Sequence, residues 1–197
     1  MMESTYPNES TGITDWHKNV GRTVRTEGCM FFFCLTGQAI VSVNMQKAIF
    51  HKGDLLVLTS DVYLWVAEVS AGFSVRYVSL SEIMIEAAYY KVTSISLWDY
   101  LHYVPILRLS LEHRQLMVGW MGQMEWILAN ISGTSRDAML NNNVYNLFMA
   151  IDTVLVKSGG NMIPERKDQA WVIVCRFWSL LTKHSFRERA VGFYANA

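Results

Sequence analysis

The spacing of hydrophobic residues changes once along the chain, and this change constrains the fold more than any other feature. The first half contains six short runs rich in β-branched and aromatic residues, separated by turn signals at intervals of roughly 8–12 residues. These runs cover residues 30–36, 39–44, 48–51, 55–59, 62–69 and 73–80. The pattern is typical of an all-β sandwich or barrel. Because no helical segment lies between the runs, a parallel βαβ sheet is not expected.

Beyond residue 80 the hydrophobic period moves toward 3.6 residues, which predicts helices. A short helix is predicted within residues 81–90. Residues 111–128 and 137–156 predict two longer amphipathic helices, and Ser135 or Asp137 is the candidate N-cap of the second. The apolar face of that second helix consists of Val144, Leu147, Phe148, Ile151 and Leu155.

Charge and composition limit the function classes. The 197 residues carry 17 Lys and Arg against 17 Asp and Glu, whereas an autonomous nucleic-acid binder usually carries a net basic charge. We therefore do not expect these residues to bind DNA by themselves. The longest stretch without a charged residue or histidine, residues 28–46, contains a Thr-Gly-Gln turn, so it predicts two strands rather than a membrane span. Residues 1–10 lack the pattern of a signal peptide.

Side chains that carry chemistry are sparse. Cys29, Cys34 and Cys175 lie in apolar surroundings without C-x-x-C spacing, so we expect buried reduced thiols, as fits the cytoplasm. The five histidines form no metal-binding pattern, and we expect no metal and no cofactor. No nucleophile elbow, P-loop or dinucleotide motif occurs, and the carboxylates are dispersed. The chain is therefore predicted not to be an enzyme and to have no catalytic residues.

The β region offers many aromatic side chains around few polar groups. One interpretation is a filled core, and the other is a cavity with an apolar wall and a few polar anchors, as in small-molecule sites. Alternation along two strands predicts that Tyr63, Trp65 and Tyr77 point inward and that Arg76 points outward, while Glu68 marks the opposite face of its strand as the wetter one. The candidate pocket residues are Phe33, His51, Tyr63, Trp65 and Tyr77.

The predicted helix over residues 111–128 carries a methionine stripe with two interpretations. The stripe packs the helix onto the β region, or it forms a subunit interface, because Met and Trp are adaptable and common at such surfaces. The candidate dimer interface consists of Met117, Trp120, Met121, Met124 and Leu128.

A family resemblance emerges near the end of the chain. Residues 177–195, FWSLLTKHSFRERAVGFYA, resemble the start of the DNA-binding domain of AraC-type bacterial transcription regulators, in which a helix leads into an Arg followed by F-Y-A. Residues 34–39 and 52–58 look like the strand-turn-strand pattern of that family's cupin-like sensor domain. The matching positions near the end are Phe177, Leu180, Leu181, His184, Arg187, Arg189, Val191, Phe193, Tyr194 and Ala195.

The resemblance implies an α+β chain with a cupin-like, jelly-roll β-barrel followed by an α-helical dimerisation segment. Residues 1–107 would form the effector-binding barrel with an N-terminal arm over residues 5–16. Residues 108–160 would dimerise, and residues 161–197 would be a linker and the first helices of a DNA-binding domain. A complete member continues through two helix-turn-helix units, so we expect the chain to be a piece that stops inside the first.

The function implied is ligand sensing and dimerisation for a bacterial, cytoplasmic AraC-family transcription regulator. The partners implied are a small-molecule effector, such as a sugar or another metabolite, and a second copy of the chain. DNA would be contacted only through the units that lie beyond the sequence, and no membrane is involved. Two alternatives remain open at this point: a cupin-fold metal-dependent enzyme, and a dimerisation or scaffold module that binds no ligand.

Overall fold

The computed structural model describes residues 3–4, 6–59, 62–91, 97, 100–101, 104–157 and 192. The strands in these ranges are β1 (Glu3–Ser4), β2 (Ser10–Thr14), β3 (Thr23–Val24), β4 (Cys29–Thr36), β5 (Gln38–Val43), β6 (Gln46–His51), β7 (Asp54–Thr59), β8 (Leu64–Val69), β9 (Ser74–Leu80) and β10 (Ile106–Arg108). The helices are α1 (Glu82–Lys91), α2 (Leu111–Asn130) and α3 (Gly133–Lys157), with a short 3-10 helix at His17–Asn19.

The strands form two five-stranded sheets that face each other across a hydrophobic core. The strand order is β1-β3-β8-β5-β6 in the first sheet and β10-β7-β4-β9-β2 in the second. Every neighbouring pair is antiparallel except β1 with β3. One buried cluster takes residues from both sheets, and we call it the sandwich interior. The result is a sandwich with helices on the outer face of the second sheet.

The second sheet is covered on both faces, and its central strand shows this in sequence. In β4, Phe31 and Phe33 lie in the cluster formed with the helices, whereas Met30 and Phe32 lie in the sandwich interior. A strand buried on both sides needs a continuous apolar run rather than alternation. The run CMFFFC of β4 meets that requirement.

The two long helices form the layer that covers the second sheet. Ser110 caps α2, because its side-chain oxygen accepts a hydrogen bond from the backbone N–H of His113 at 3.2 Å. The apolar face predicted for α3 is confirmed at the positions whose side chains are described, and these four residues are buried: Val144, Leu147, Phe148 and Ile151. Leu155 lies outside the described side chains.

The six strands predicted from the sequence are confirmed as β4 to β9, and three predicted helices are confirmed as α1, α2 and α3. The predicted caps of α3 are wrong, because this helix begins at Gly133 and already includes Ser135 and Asp137. The short strands β1, β2, β3 and β10 were not predicted. Cys175 and the segment that resembles a DNA-binding domain lie outside the described residues, apart from Gly192.

Candidate functional site

A tight hairpin between β5 and β6 forms one side of the candidate site. Its two central residues, Asn44 and Met45, have φ angles of 47° and 64°, which defines a type I′ turn between the paired residues Val43 and Gln46. The side-chain oxygen of Asn44 accepts a hydrogen bond from the backbone N–H of Tyr63 at 3.1 Å, which connects the turn to the residue before β8. Asn tolerates this left-handed conformation better than most residues do.

An open cavity of about 160 Å³ lies where the edge strand of each sheet meets the other. The β5–β6 hairpin contributes one wall, and β10 with the two residues before it contributes the other. The lining residues are Val43, Gln46, Lys47, Ala48, Val104, Pro105, Ile106 and Arg108. Five of these side chains are apolar, two are cationic and one is an amide. A volume near 150 Å³ holds a molecule about the size of benzene.

Arg108 fixes the β10 side of the cavity through three contacts. Its guanidinium donates to the carboxylate of Asp54, to Nδ1 of His51 at 2.8 Å and to the backbone oxygen of Ile49 at 2.6 Å. Asp54 is 2% exposed and also accepts the backbone N–H of His51 at 2.6 Å. Since a guanidinium can only donate, Nδ1 of His51 must accept, which places the ring proton on Nε2.

The same turn connects the cavity to the helical layer. Gly53 has a φ of 84°, and a Cβ at this position would overlap the guanidinium of Arg114. Arg114 lies in the first turns of α2, and its Nε donates to the backbone oxygen of Leu109 at 3.1 Å. Arg108 contacts Asp54 and Arg114 lies against Gly53, so the turn between β6 and β7 connects the cavity with the start of α2.

The sandwich interior next to the cavity is filled by an aromatic side chain from outside the strands. Trp16 is fully buried, and its ring lies 5.1 Å from Phe32, 5.7 Å from Phe50 and 5.3 Å from Phe73, measured between centroids. The Phe50 ring is stacked on it at an angle of 26°. The backbone of Trp16 is left-handed, with φ 57°, which costs a non-glycine residue about 1–2 kcal/mol.

Two buried polar atoms around Trp16 make no hydrogen bond of normal length and angle among the described residues. They are the indole Nε1 of Trp16 itself and the hydroxyl of Tyr6. Tyr6 packs against the rings of Phe32 and Tyr77. Burial raises the pKa of the Tyr6 hydroxyl to about 12, and weak hydrogen bonds with the indole N–H of Trp16 and the hydroxyl of Thr14 offset part of that rise. A buried polar group without a hydrogen bond of normal geometry is costly.

Of the five predicted pocket residues, Tyr77 contacts the sandwich interior, as the predicted inward orientation requires. Phe33 is buried but belongs to the cluster beneath the helices, because odd-numbered residues of β4 face that way. His51 lies on the turn side of β6, where it contacts Arg108 rather than the interior. Arg76 points away from the interior, toward Glu125 of α2 at 3.8 Å.

The predicted inward orientation of Tyr63 and Trp65 is wrong. Tyr63 is 48% exposed and Trp65 is 38% exposed, while Leu64 and Val66 are fully buried. The register between β5 and β8 shifts at a bulge, which places Ala67 between the paired positions. A bulge reverses the alternation beyond it, so Glu68 is on the solvent side even though Leu64 and Val66 point inward.

The dimer interface predicted on the methionine stripe lies on the wrong face of α2. Met117, Met121 and Met124 are at most 5% exposed, because they pack in the cluster between the helices and the second sheet. Leu128 packs against the same cluster. Trp120 does so too, and its indole N–H donates to the backbone oxygen of Asn143 at 3.0 Å. Of the two interpretations of the stripe, packing onto the β region is the one the contacts support.

Sequence reasoning missed Lys47, Arg108 and Trp16 as site residues. Lys47 and Arg108 have no local motif, since only the pairing of strands brings them to one cavity. Trp16 carried a weak signal, a lone large aromatic residue in a polar segment. Among the described residues, no three His, Cys, Asp or Glu side chains lie close enough to hold a metal ion. No helix within the described ranges is long and apolar enough to cross a bilayer.

Comparisons with known proteins give only distant similarity. No protein-family model matches the chain, and no curated protein matches it in sequence. Among solved structures, the plu4264 protein of Photorhabdus luminescens is similar with a TM-score of 0.28 and 17% identity, over 39% of this chain and 57% of that chain.

ToxT of Vibrio cholerae is similar in two structures. An apo variant gives a TM-score of 0.46 and 11% identity, over 94% of this chain and 68% of that chain. ToxT bound to (E)-4-(8-methylnaphthalen-1-yl)but-3-enoic acid gives 0.42 and 13%, over 97% and 67%. These scores are too low to establish a common fold or function, so the proposals that follow rest on the residues and contacts of this chain.

Proposed function

We propose that this chain is the ligand-sensing region of an AraC-type transcription regulator and that its effector binds in the cavity between β6 and β10. The observation that carries the proposal is the position of Arg108. Arg108 lines the cavity and donates a hydrogen bond to Asp54. Asp54 follows Gly53, and Arg114 of α2 lies against Gly53. A ligand that prefers one position of Arg108 would bias the helical layer.

The lining of the cavity favours an apolar acid over a sugar as the effector. A sugar needs many hydrogen-bonding groups, whereas five of the eight lining side chains offer none and Gln46 is the one neutral side chain that does. Lys47 is exposed, and no ion-pair partner for it occurs among the described residues, so its ammonium is available to a carboxylate. The ligand class that fits is a small aromatic or aliphatic carboxylate.

In this proposal the domain limits stay as the resemblance implies, with the sensor at residues 1–107, the dimerisation segment at 108–160 and the start of a DNA-binding domain at 161–197. The β-sandwich would be a cupin-like jelly roll. DNA contact would belong to the helix-turn-helix units that follow the F-Y-A pattern. The regulator would act in the bacterial cytoplasm as a homodimer.

The proposed dimer would use the exposed face of α2 rather than the methionine stripe. On that face Leu111 is 74% exposed, Val118 51% and Trp126 53%, and exposed apolar side chains that share one face mark interaction sites. Gly119 and Gly122 lie beside them with open space where a Cβ would stand, so a second helix has room to approach closely.

Benzoate is a suitable probe of the cavity because it combines a benzene-sized ring with a carboxylate. Millimolar benzoate is expected to raise the melting temperature of the protein, whereas benzamide, a neutral molecule of the same shape, should raise it less. In Lys47→Gln the benzoate effect should weaken by about fivefold in affinity, as for a loss of ~1 kcal/mol. If neither benzoate nor a library of small acids stabilises the protein, ligand sensing at this cavity is wrong.

The two alternatives make different predictions for the purified protein. A cupin-type enzyme requires a stoichiometric transition metal near His51, which elemental analysis detects. A scaffold module requires no ligand at all, so native mass spectrometry would show the bare chain and no acid would shift the melting temperature. A co-purified small acid would favour the sensor over both.

A further inference from the structure

Trp16 reaches the sandwich interior from a surface loop. It belongs to the loop of residues 15–22, between β2 and β3, and its sequence neighbours Asp15 and His17 are exposed. Most of the large side chains packed around it come from strands, including Phe32 on β4 and Phe50 on β6. Withdrawing the loop would therefore remove Trp16 and leave those strands paired with their neighbours in the two sheets.

Its environment fits an aromatic occupant better than it fits Trp16 in particular. Three phenylalanine rings surround the indole, which is the geometry of a site for a planar aromatic group. The indole N–H nevertheless makes no hydrogen bond of normal length and angle among the described residues, although the Tyr6 hydroxyl lies nearby, and the backbone of this bulky residue is left-handed. Strain and a donor without a normal hydrogen bond at a single residue are features that accumulate at sites with a second state.

The loop is attached by few bonds. The backbone N–H of Gly21 donates to the oxygen of Val66, the N–H of Val66 donates to the oxygen of Arg22 at 3.4 Å, and the other backbone bonds lie within the loop. Gly21 has a φ of 73°, so left-handed residues, Trp16 and Gly21, stand near the two ends of the loop. These positions are suited to act as hinges, because a few dihedral changes there would swing the indole out.

We propose that the aromatic cage of Phe32, Phe50 and Phe73 is a binding site for a planar bicyclic aromatic compound, and that Trp16 occupies it until such a compound replaces it. This inference rests on the proposed sensing function and specifies the ligand. Val43 and Ile106 belong both to the wall of the open cavity and to the cluster that contains Trp16. The open cavity and the space that the indole fills therefore share these two side chains as a common wall, and a compound that spans both would have to displace them.

Indole is the probe for this inference, and the experiment compares the wild-type protein with Trp16→Ala. Both proteins should bind indole, measured by calorimetry and by the melting temperature. The variant should bind at least tenfold more tightly, because its site needs no displacement of an internal occupant. Trp65→Ala removes an exposed indole from the outer face of β8 and should leave the affinity unchanged.

Limited trypsin digestion of the wild-type protein gives a second test. If Trp16 had only a structural role, indole would not change the rate of cleavage in its loop. Saturating indole should accelerate cleavage after Lys18, inside the loop, at least fivefold, whereas cleavage after Lys52, in the exposed turn before β7, should stay constant. This measurement needs no variant and so survives a failure of Trp16→Ala to fold. Binding of indole by the variant alone, or binding by wild type without faster cleavage after Lys18, would overturn the inference.

The outcome also separates this inference from the proposed function. A benzoate effect that depends on Lys47, together with no indole binding by wild type, would leave the sensing cavity intact and identify Trp16 as a permanent core residue. If benzoate and indole both fail to bind the wild-type protein, the sensing function itself is wrong.

Discussion

Arg108 on β10 donates a hydrogen bond to the carboxylate of Asp54 on β7, whose side chain is 3% exposed. The same carboxylate accepts the backbone N–H of His51 at the end of β6. One buried oxygen therefore joins strands that belong to both sheets, at the edge where the candidate cavity opens.

Asp54→Ala is expected to destabilise the protein by about 2 kcal/mol, because it leaves the His51 N–H and the Arg108 guanidinium without their acceptor. Urea unfolding measures the change. Asp15 is a matched control, since its carboxylate also accepts a backbone N–H, that of His17 at 3.0 Å, but in an exposed turn. Asp15→Ala should cost less than about 1 kcal/mol. Equal losses for the two variants would contradict a structural role for the Arg108–Asp54 pair.

Alkaline pH is expected to weaken the fold through Cys34. Burial, with a smaller effect of Asp54, raises the pKa of this thiol from 9.0 to about 12. The folded state then keeps a proton that the unfolded state releases, so this contribution is full below pH 9 and is lost as the pH rises from 9 toward 12. At pH 10.5 the loss reaches about 2 kcal/mol, in addition to a loss in the same direction from Tyr6. Urea midpoints at pH 8 and pH 10.5 should differ less in Cys34→Ala than in wild type.

Substitution by alanine should lower the stability of the protein at Gly28 and raise it at Gly119. A Cβ at Gly28 would overlap the backbone of residues 80–82. Gly28→Ala is therefore expected to lower the free energy of unfolding by about 1–3 kcal/mol or more, as overpacking a core does. Gly119 lies on the exposed side of α2 with nothing within 4 Å of a Cβ in the single chain, so Gly119→Ala should stabilise the monomer by roughly 0.5–1 kcal/mol. Thermal unfolding of both variants in a Trp126→Lys background, where no partner helix approaches Gly119, checks the pair.

Adjacent residues of β8 test which face of the strand is inside. Leu64 is fully buried, so Leu64→Ala should cost about 2–5 kcal/mol. Trp65 is larger but lies on the solvent face, so Trp65→Ala should cost less than about 1 kcal/mol. A larger loss for Trp65 than for Leu64 in urea unfolding would restore the inward orientation that the sequence predicts.

Substitutions on the buried face of α2 are expected to change stability, and substitutions on its exposed face are expected to change dimerisation. Met121→Ala should lower stability by about 2–5 kcal/mol without changing the molar mass in solution, because Met121 packs inside the chain. Trp126→Lys should change stability little but convert a dimer to a monomer, as measured by light scattering. A wild-type monomer at micromolar concentration, or a Trp126→Lys dimer, would contradict the proposed interface.

The positions of the strands and long helices could be predicted because the signals are local. Turn residues such as Gly37 and Gly53 bound the β-type runs, and the spacing from Val144 to Ile151 repeats with the helical period. The short strands β1, β3 and β10 could not be predicted, since two or three residues carry no periodicity. Only their pairing partners make them strands.

The candidate site was predicted less well for reasons that are equally physical. Alternation alone placed Trp65 inside, but the bulge at Ala67 makes Glu68 an unreliable guide to the faces of β8. The composition of α2 allowed its methionines to face either the sheet or a partner, because the same apolar side chains suit both surfaces.

By itself, the sequence determined that a β-sandwich precedes amphipathic helices, because turn chemistry and hydrophobic period act over a few neighbouring residues. The tertiary structure alone decided that Trp16 fills the interior, that Arg108 meets Asp54, and that Lys47 shares a cavity with β10. These contacts join residues from 16 to more than 60 positions apart, and their geometry follows from strand order and register, which no local pattern encodes.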